Sequence, residues 1–263
     1  MEYATHRGCR IAFEVCGEGP PALLQHGLLS RRTSWRESGF VEALAREFTV
    51  VTVDSLGHGD SDKPDDPRLY RRDARADDLA AVLDVLAIPR AHVVGYSMGG
   101  WMAAGFGARH PGRLLSLTLG GWAPGAGLAA AGEAVIDFQT VLAAARARAP
   151  GLTAWITPEV TPGLRACWEA LTEVEGVEAA LAACPAPVLL WTGTDDPCRD
   201  AVQALAARLP RAAFRAVPGD HLGAMTTHAA ASLATLRAFL ADPNATARSS
   251  AVSLRSCAGR HSS

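Results

Sequence analysis

Val93-Val94-Gly95-Tyr96-Ser97-Met98-Gly99-Gly100 is the stretch from which the fold can be read. Two β-branched residues run into Gly-x-Ser-x-Gly, and a helix-compatible segment, Trp101 to Arg109, follows. Chemically, this is a strand that turns sharply into a helix with a serine at the bend. Gly95 and Gly99 leave out Cβ where such a turn is tightest. The serine oxygen then points out of the sheet, and the Met98 N–H faces the same space at the helix start. The five-residue pattern is a weak signal by itself in a glycine-rich chain. The strand before it and the helix after it give it weight.

Outward from this stretch, strands and helices alternate. Toward the N-terminus, Tyr3–Thr5 and Arg10–Val15 read as short strands around a turn at Arg7-Gly8, and Ala22–Gln25 as an apolar strand running into His26-Gly27-Leu28-Leu29. Trp35 to Glu47 has helical apolar spacing. Phe48–Val53 is β-branched throughout and reads as a strand buried on both faces. It ends in Asp54-Ser55-Leu56-Gly57-His58-Gly59-Asp60-Ser61. Asp73 to Ala87 predicts a helix. Toward the C-terminus, Arg113–Gly120 is another buried strand, and the next, Val188–Trp191, comes roughly sixty residues later. The stretch between has helical apolar stripes (Val135, Phe138, Leu142; Leu164, Cys167, Trp168, Leu171; Val174, Val177, Leu181), so it predicts helices rather than a bare loop. Thr192-Gly193-Thr194-Asp195-Asp196-Pro197, a helix near Arg199–Leu209, a strand Ala213–Val217, Pro218-Gly219-Asp220-His221 and a helix over Thr226–Leu240 complete the pattern. Residues 241–263 are small and polar and predict a disordered, dispensable tail.

Such alternation implies a mainly parallel sheet covered on both faces. Ligands of such sheets sit beyond the carboxyl ends of the strands. His26-Gly27, Asp54, Ser97, Asp195-Asp196 and His221 each follow a strand, so five loops aim at one edge.

Composition narrows the rest. At 263 residues the chain could be one large α/β domain or two small ones, and 49 % hydrophobic residues suffice for a substantial core. A net charge of −2 gives no reason to expect nucleic acid or an anionic membrane as partner. The N-terminus has no apolar core of a signal peptide, and no apolar run approaches the roughly 18 residues of a bilayer span. The six cysteines are scattered without Cys-x-x-Cys, which fits reduced thiols in a cytoplasmic protein. No metal site is expected, because no cysteine or histidine cluster has ligand spacing.

On these residues the chain resembles the α/β-hydrolase superfamily, in its lid-bearing Ser-His-Asp branch, over about residues 3–240. Gly95-Tyr96-Ser97-Met98-Gly99 matches the nucleophile elbow, His26-Gly27 the oxyanion loop, Asp54 to Ser61 a loop common in that branch, and Gly193–Pro197 and His221 the acid and base loops. The resemblance implies an α/β-hydrolase fold: a mainly parallel eight-stranded sheet covered by helices on both faces, with a helical lid after strand 6. It divides the chain into a core (1–121 and 184–240) and a lid (122–183). Two departures stand out. Asp220 replaces the glycine usual before the histidine and adds a charge beside the base. Leu28-Leu29 lacks the proline frequent in cofactor-free haloperoxidase relatives.

The expected roles follow from chemistry. A serine hydroxyl needs an adjacent base to attack at neutral pH. His221 would take the Ser97 proton, and a carboxylate would hold the imidazole. Asp195, Asp196 and Asp220 compete for that place. Adjacent side chains diverge, which disfavours Asp220. Pro197 restricts Asp196 to extended backbone, whereas Asp195 is free to cap the turn begun at Gly193. The family's usual spacing from that glycine also points to Asp196. The N–H groups of Leu28 and Met98 would bind an oxyanion. His26 and His58 are expected to bond loop backbone, and Asp54 to be structural. His26, Trp101, Trp122, Trp155, Trp168 and Leu222 are candidate pocket residues; Arg146, Arg148 and Arg165 read as solvated, with one of them available to a substrate carboxylate. An aspartate nucleophile would occupy the elbow where this chain has Ser97, which argues against dehalogenase or epoxide hydrolase chemistry.

The expectation is therefore a cofactor-independent, cytoplasmic serine hydrolase, monomeric or homodimeric, acting on a small to medium, partly apolar carboxylic ester, thioester or lactone. Cleavage of a carbon–carbon bond in ring-cleavage products is the alternative within the family. A non-catalytic ligand-binding protein or a lyase is the alternative from another class.

Overall fold

A computed structural model describes residues 1–128 and 137–245. The chain runs β1 (Glu2–His6), β2 (Cys9–Cys16), β3 (Pro21–Gln25), α1 (Thr33–Glu37), α2 (Phe40–Leu44), β4 (Thr49–Val53), α3 (Arg72–Val85), β5 (Ala91–Tyr96), α4 (Met98–Arg109) and β6 (Leu114–Gly120). It continues through α5 (Phe138–Arg148), α6 (Pro150–Thr153), α7 (Thr161–Ala170), α8 (Val177–Ala183), β7 (Val188–Gly193), α9 (Arg199–Arg208), β8 (Ala212–Val217) and α10 (Ala229–Ala241).

The eight strands form one sheet in the order β1-β2-β4-β3-β5-β6-β7-β8. β1–β2 and β2–β4 pair antiparallel, and every later pair is parallel. β5 lies in the interior of the sheet and is buried along its whole length, as its apolar run requires. One face of the sheet carries a core that includes Leu79 and Leu83 of α3, Met102 and Phe106 of α4, Leu181 of α8 and Val202 of α9. The other carries Trp35, Phe40 and Leu44 with Leu236 and Phe239 of α10. Two independent cores, one per face, hold the carboxyl ends of β3, β4, β5, β7 and β8 along one edge. The loops bearing His26, Asp54, Ser97, Asp196 and His221 leave from that edge.

Several expectations need correction. The helix expected over Trp35–Glu47 is two short helices, because Gly39 at φ +78° takes a left-handed turn that ends α1 and starts α2. The boundary expected between 183 and 184 falls within one packed cluster: Val177 and Leu181 of α8 share the core of α4. Leu142 of α5 and Leu164, Cys167 and Trp168 of α7 belong to the same cluster. Of the disordered tail expected from 241, Ala241 belongs to α10 and residues 243–245 are helical. The rest of that segment, 246–263, lies outside the described residues, as does Val135. Among the described residues no helix is long and apolar enough to cross a membrane.

Candidate active site

The β5–α4 bend is built from absences. A Cβ on Gly95 would collide with the Gly99 carbonyl, and a Cβ on Gly99 with the Gln25 carbonyl of β3. Ser97 sits between them at φ +57°, ψ −121°, a backbone region costly to any non-glycine residue, on the order of 1–3 kcal/mol. Its N–H donates to the Gly120 carbonyl at 2.8 Å, and its carbonyl accepts from Trp101 N at 3.1 Å. Strand and helix together thus hold the strained residue, and its side chain lines the cavity above the sheet edge.

His221 lies across from it. The His221 Nε2–Ser97 Oγ separation is 3.0 Å, and His221 Nδ1 is 2.8 Å from Asp196 Oδ2. With Nδ1–H donating to the carboxylate, Nε2 is left to accept from the serine hydroxyl. The second Asp196 oxygen, Oδ1, accepts from the Cys198 N–H at 3.1 Å. Burial by itself would raise the Asp196 carboxyl; the His221 hydrogen bond and charge and the bonds from Cys198 outweigh it and hold the group below its ordinary value. Of the three competing carboxylates, Asp196 is the one that meets His221. Asp195 lines the cavity and gives its N–H to the Gly219 carbonyl at 3.0 Å. Asp220 turns to its own loop, where Oδ1 accepts from Gly223 N at 2.7 Å, while Oδ2 pairs with Arg148 Nη2 at 2.9 Å.

The loop after β3 is fixed by two buried histidines. Burial pushes His26 down to about 4, against the pull of the Asp54 charge, and His58 well below its ordinary value. Both rings are therefore neutral at pH 7. His26 Nε2 accepts from Ser55 N at 3.2 Å, so its proton is on Nδ1 and is donated to the Gly27 carbonyl at 2.8 Å. That carbonyl also takes Ser30 N–H at 3.1 Å. In a trans peptide, pinning the Gly27 carbonyl turns the Leu28 N–H the opposite way. His58 Nε2 donates to the Leu28 carbonyl at 2.6 Å, so the next peptide is pinned as well. Among the described residues neither the Leu28 nor the Met98 N–H meets a backbone acceptor. Met98 opens α4, where unpaired N–H groups and the helix dipole favour negative charge. Asp54 is a loop anchor: fully buried, it accepts from Arg32 N at 2.8 Å, Asp60 N at 3.0 Å and the Arg32 guanidinium.

Above these groups lies a cavity of about 570 Å³. Ser97, His221, Asp196, Leu28, His26, Trp122, Trp168 and Leu222 all line it. Two expected pocket residues do not. Trp101 is buried beneath the segment that leads to α8, with Nε1 donating to the Glu173 carbonyl at 2.8 Å. Trp155 packs beside His58, ring centroids 5.9 Å apart, and donates to the Leu29 carbonyl at 3.1 Å. In both, the indole N–H is directed to a backbone carbonyl, Glu173 for Trp101 and Leu29 for Trp155. Of the three cations, Arg148 lines the cavity, Arg146 donates to the Ile156 carbonyl and Arg165 is exposed.

Sequence reasoning passed over three features. Tyr96 precedes the serine; its hydroxyl donates to the His221 carbonyl at 2.6 Å and its ring lies 5.3 Å from the imidazole. Its position next to the bend was the available signal. Ser34, Trp35 and Ser38 line the cavity from α1 and its C-terminal end, and Met225 from the turn before α10. The Arg148–Asp220 pair spans 72 residues and leaves no local mark. Among the described residues no group of three or more His, Cys, Asp or Glu could hold a metal.

A family model described as alpha/beta hydrolase fold matches residues 20–128. An uncharacterized protein of Mycobacterium tuberculosis is 40% identical over 124 residues, covering 46% of this chain and 35% of that protein. The 2-hydroxymuconate semialdehyde hydrolase of Pseudomonas sp. strain CF600 is 37% identical over 115 residues, 43% of this chain and 40% of that enzyme. The chain thus matches less than half the length of these relatives. Among solved structures, the enol-lactonase from Burkholderia xenovorans LB400 superposes with a TM-score of 0.77 at 23% identity, over 92% of this chain and all of the other. At that identity the likeness is one of fold.

Proposed function

We propose that this chain, which belongs to the α/β-hydrolase superfamily, is a cofactor-independent serine hydrolase of a small to medium, partly apolar carboxylic ester, thioester or lactone. The observation that carries the reading is the hydrogen-bonded series Asp196 Oδ2–His221–Ser97 Oγ, with the serine held at a left-handed bend on the cavity floor. Ser97 Oγ attacks the carbonyl carbon as its proton passes to His221 Nε2. Asp196 keeps the imidazole in the accepting tautomer and stabilises the imidazolium. The Leu28 and Met98 N–H groups take the charge on the carbonyl oxygen; one such donor contributes about 3 kcal/mol. His221 then protonates the departing alkoxide or thiolate, and water, activated by the same histidine, releases the acid from Ser97.

The apolar lining supports a partly apolar substrate: Trp122, Leu128, Val141, Leu152, Trp168 and Leu171 gather over one side. The segment 122–183 is the candidate lid, and its described apolar side chains would exclude water from the acyl intermediate. The five described cysteines are free thiols, which supports a reducing, cytoplasmic setting. A monomer or homodimer is sufficient, because every group invoked comes from one chain.

Carbon–carbon bond cleavage is the second reading, favoured by the similarity to 2-hydroxymuconate semialdehyde hydrolase. Turnover of a panel of aryl and alkyl esters, lactones and dienoic ketones by wild type and Ser97→Ala tests both. Ester or lactone turnover lost by more than about a thousandfold in Ser97→Ala supports the first reading. Turnover confined to dienoic ketones moves the protein to the second. Tight ligand binding without any turnover would make it a binding protein.

A further inference from the structure

We propose that the Arg148–Asp220 ion pair is a charge-balancing clamp: from across the cavity it offsets the carboxylate next to His221 and so keeps that histidine able to accept the serine proton. The inference rests on the reading of His221 as the base.

The two Asp220 oxygens serve different partners. Oδ1 accepts from the Gly223 N–H at 2.7 Å and closes a turn around His221, and the Asp220 carbonyl takes Ala224 N at 3.0 Å. Oδ2 meets Arg148 Nη2 at 2.9 Å. Arg148 ends α5, so the base loop is tied to the helix over the cavity. Both side chains line that cavity.

The charges that face His221 make the pair consequential. Asp196 from the loop after β7 accepts from Nδ1, Asp195 of the same loop lines the cavity, and Asp220 is the adjacent residue. Tyr96 of β5, Cys198 and His26 also line the cavity; burial keeps the phenol and the thiol neutral by raising both, and keeps the His26 imidazole neutral by lowering it. Arg148 is the one arginine or lysine among the described lining residues. Without it, two uncompensated carboxylates besides Asp196 would favour the imidazolium, which has no free lone pair for the Ser97 proton. The pair is too exposed, at 69% and 42% of the two side chains, to contribute much to folding. Its effect belongs to the chemistry of the site.

The test is the pH dependence of kcat/KM on a neutral ester at low salt, for wild type, Arg148→Gln, Asp220→Asn and the double variant. The amide introduced by Asp220→Asn retains an oxygen for the Gly223 N–H, so the turn survives. Arg148→Gln is expected to move the acid limb to higher pH by about 0.5 unit and Asp220→Asn to lower pH by a similar amount, the size of one screened charge at about 6 Å. The double variant should return close to wild type. Asp220→Ala, which also loses the turn acceptor, should lose a further several-fold in kcat that Asp220→Asn retains. Acid limbs that stay in place, or that move the same way in both single variants, overturn the clamp. If Ser97→Ala retains turnover, the underlying reading of the site fails instead; unmoved limbs with Ser97-dependent turnover overturn the clamp alone.

Discussion

The Tyr96 hydroxyl donates to the His221 carbonyl at 2.6 Å, so the residue before the nucleophile holds the loop that carries the base. The two ends of the proton path are thereby tied through one short bond, independent of the Nε2–Oγ contact. Tyr96→Phe removes the donor and leaves a part-buried carbonyl short of a partner, at a cost of about 1 kcal/mol. The expected outcome is kcat for ester hydrolysis reduced about three- to tenfold with KM little changed, and a melting temperature lowered by a few degrees. Unchanged kcat in a destabilised protein would show that Tyr96 serves the fold alone.

Trp101 and Trp168 separate structure from selectivity. Trp101 is enclosed and bonded to the Glu173 carbonyl, whereas Trp168 lines the cavity. Trp101→Ala should cost about 3–5 kcal/mol of stability and leave the ratio of kcat/KM values for short and long acyl esters intact. Trp168→Ala should change that ratio at least several-fold toward longer acyl chains, with a smaller loss of stability. Chemical denaturation and an acyl-chain series on the same preparations read both. The opposite assignment of effects would place Trp168 in the core.

Buried neutral histidines should govern acid sensitivity. Burial holds His26 and His92 at about 4, against 6.5 for a free imidazole. Between those values the unfolded chain binds protons that the native chain does not, so stability is lost as pH falls from about 6.5 to about 4. Each ring contributes at most about 3 kcal/mol to that loss. His92 Nδ1 hydrogen-bonds Ser116 Oγ at 2.7 Å and the ring packs edge-on against Phe48, so His92→Asn isolates one contribution. Urea denaturation at pH 7 and pH 4.5 should show a shallower fall for His92→Asn than for wild type. Equal falls would contradict a neutral, buried His92.

The legibility of this chain followed the range of the interactions. The β5–α4 bend could be read because part of its steric need is local: Gly95 is demanded by the Gly99 carbonyl of the same turn, while Gly99 is demanded by the Gln25 carbonyl of the neighbouring strand β3. The loops with Asp196 and His221 could be read because each follows an apolar strand, and parallel strands end on one edge. The split at Gly39 was missed because a helical apolar stripe runs on across it, while the glycine takes φ +78°. Trp101 and Trp155 were assigned to the pocket because composition marks a tryptophan as apolar but not which side its indole N–H must face. The acceptors that decide it, the Glu173 and Leu29 carbonyls, lie 72 and 126 residues away in sequence. Arg148 and Asp220 are likewise joined only by the folded chain.

The proposal that Ser97 is an activated nucleophile is tested most directly by intact mass after treatment with a fluorophosphonate. Folded wild-type protein is expected to gain one phosphonyl group, on the peptide containing Ser97, and to lose ester turnover in proportion. Ser97→Ala should gain none, and Asp196→Asn should label far more slowly. A folded wild-type protein that gains no mass, or a Ser97→Ala variant that labels at the wild-type rate, would contradict it.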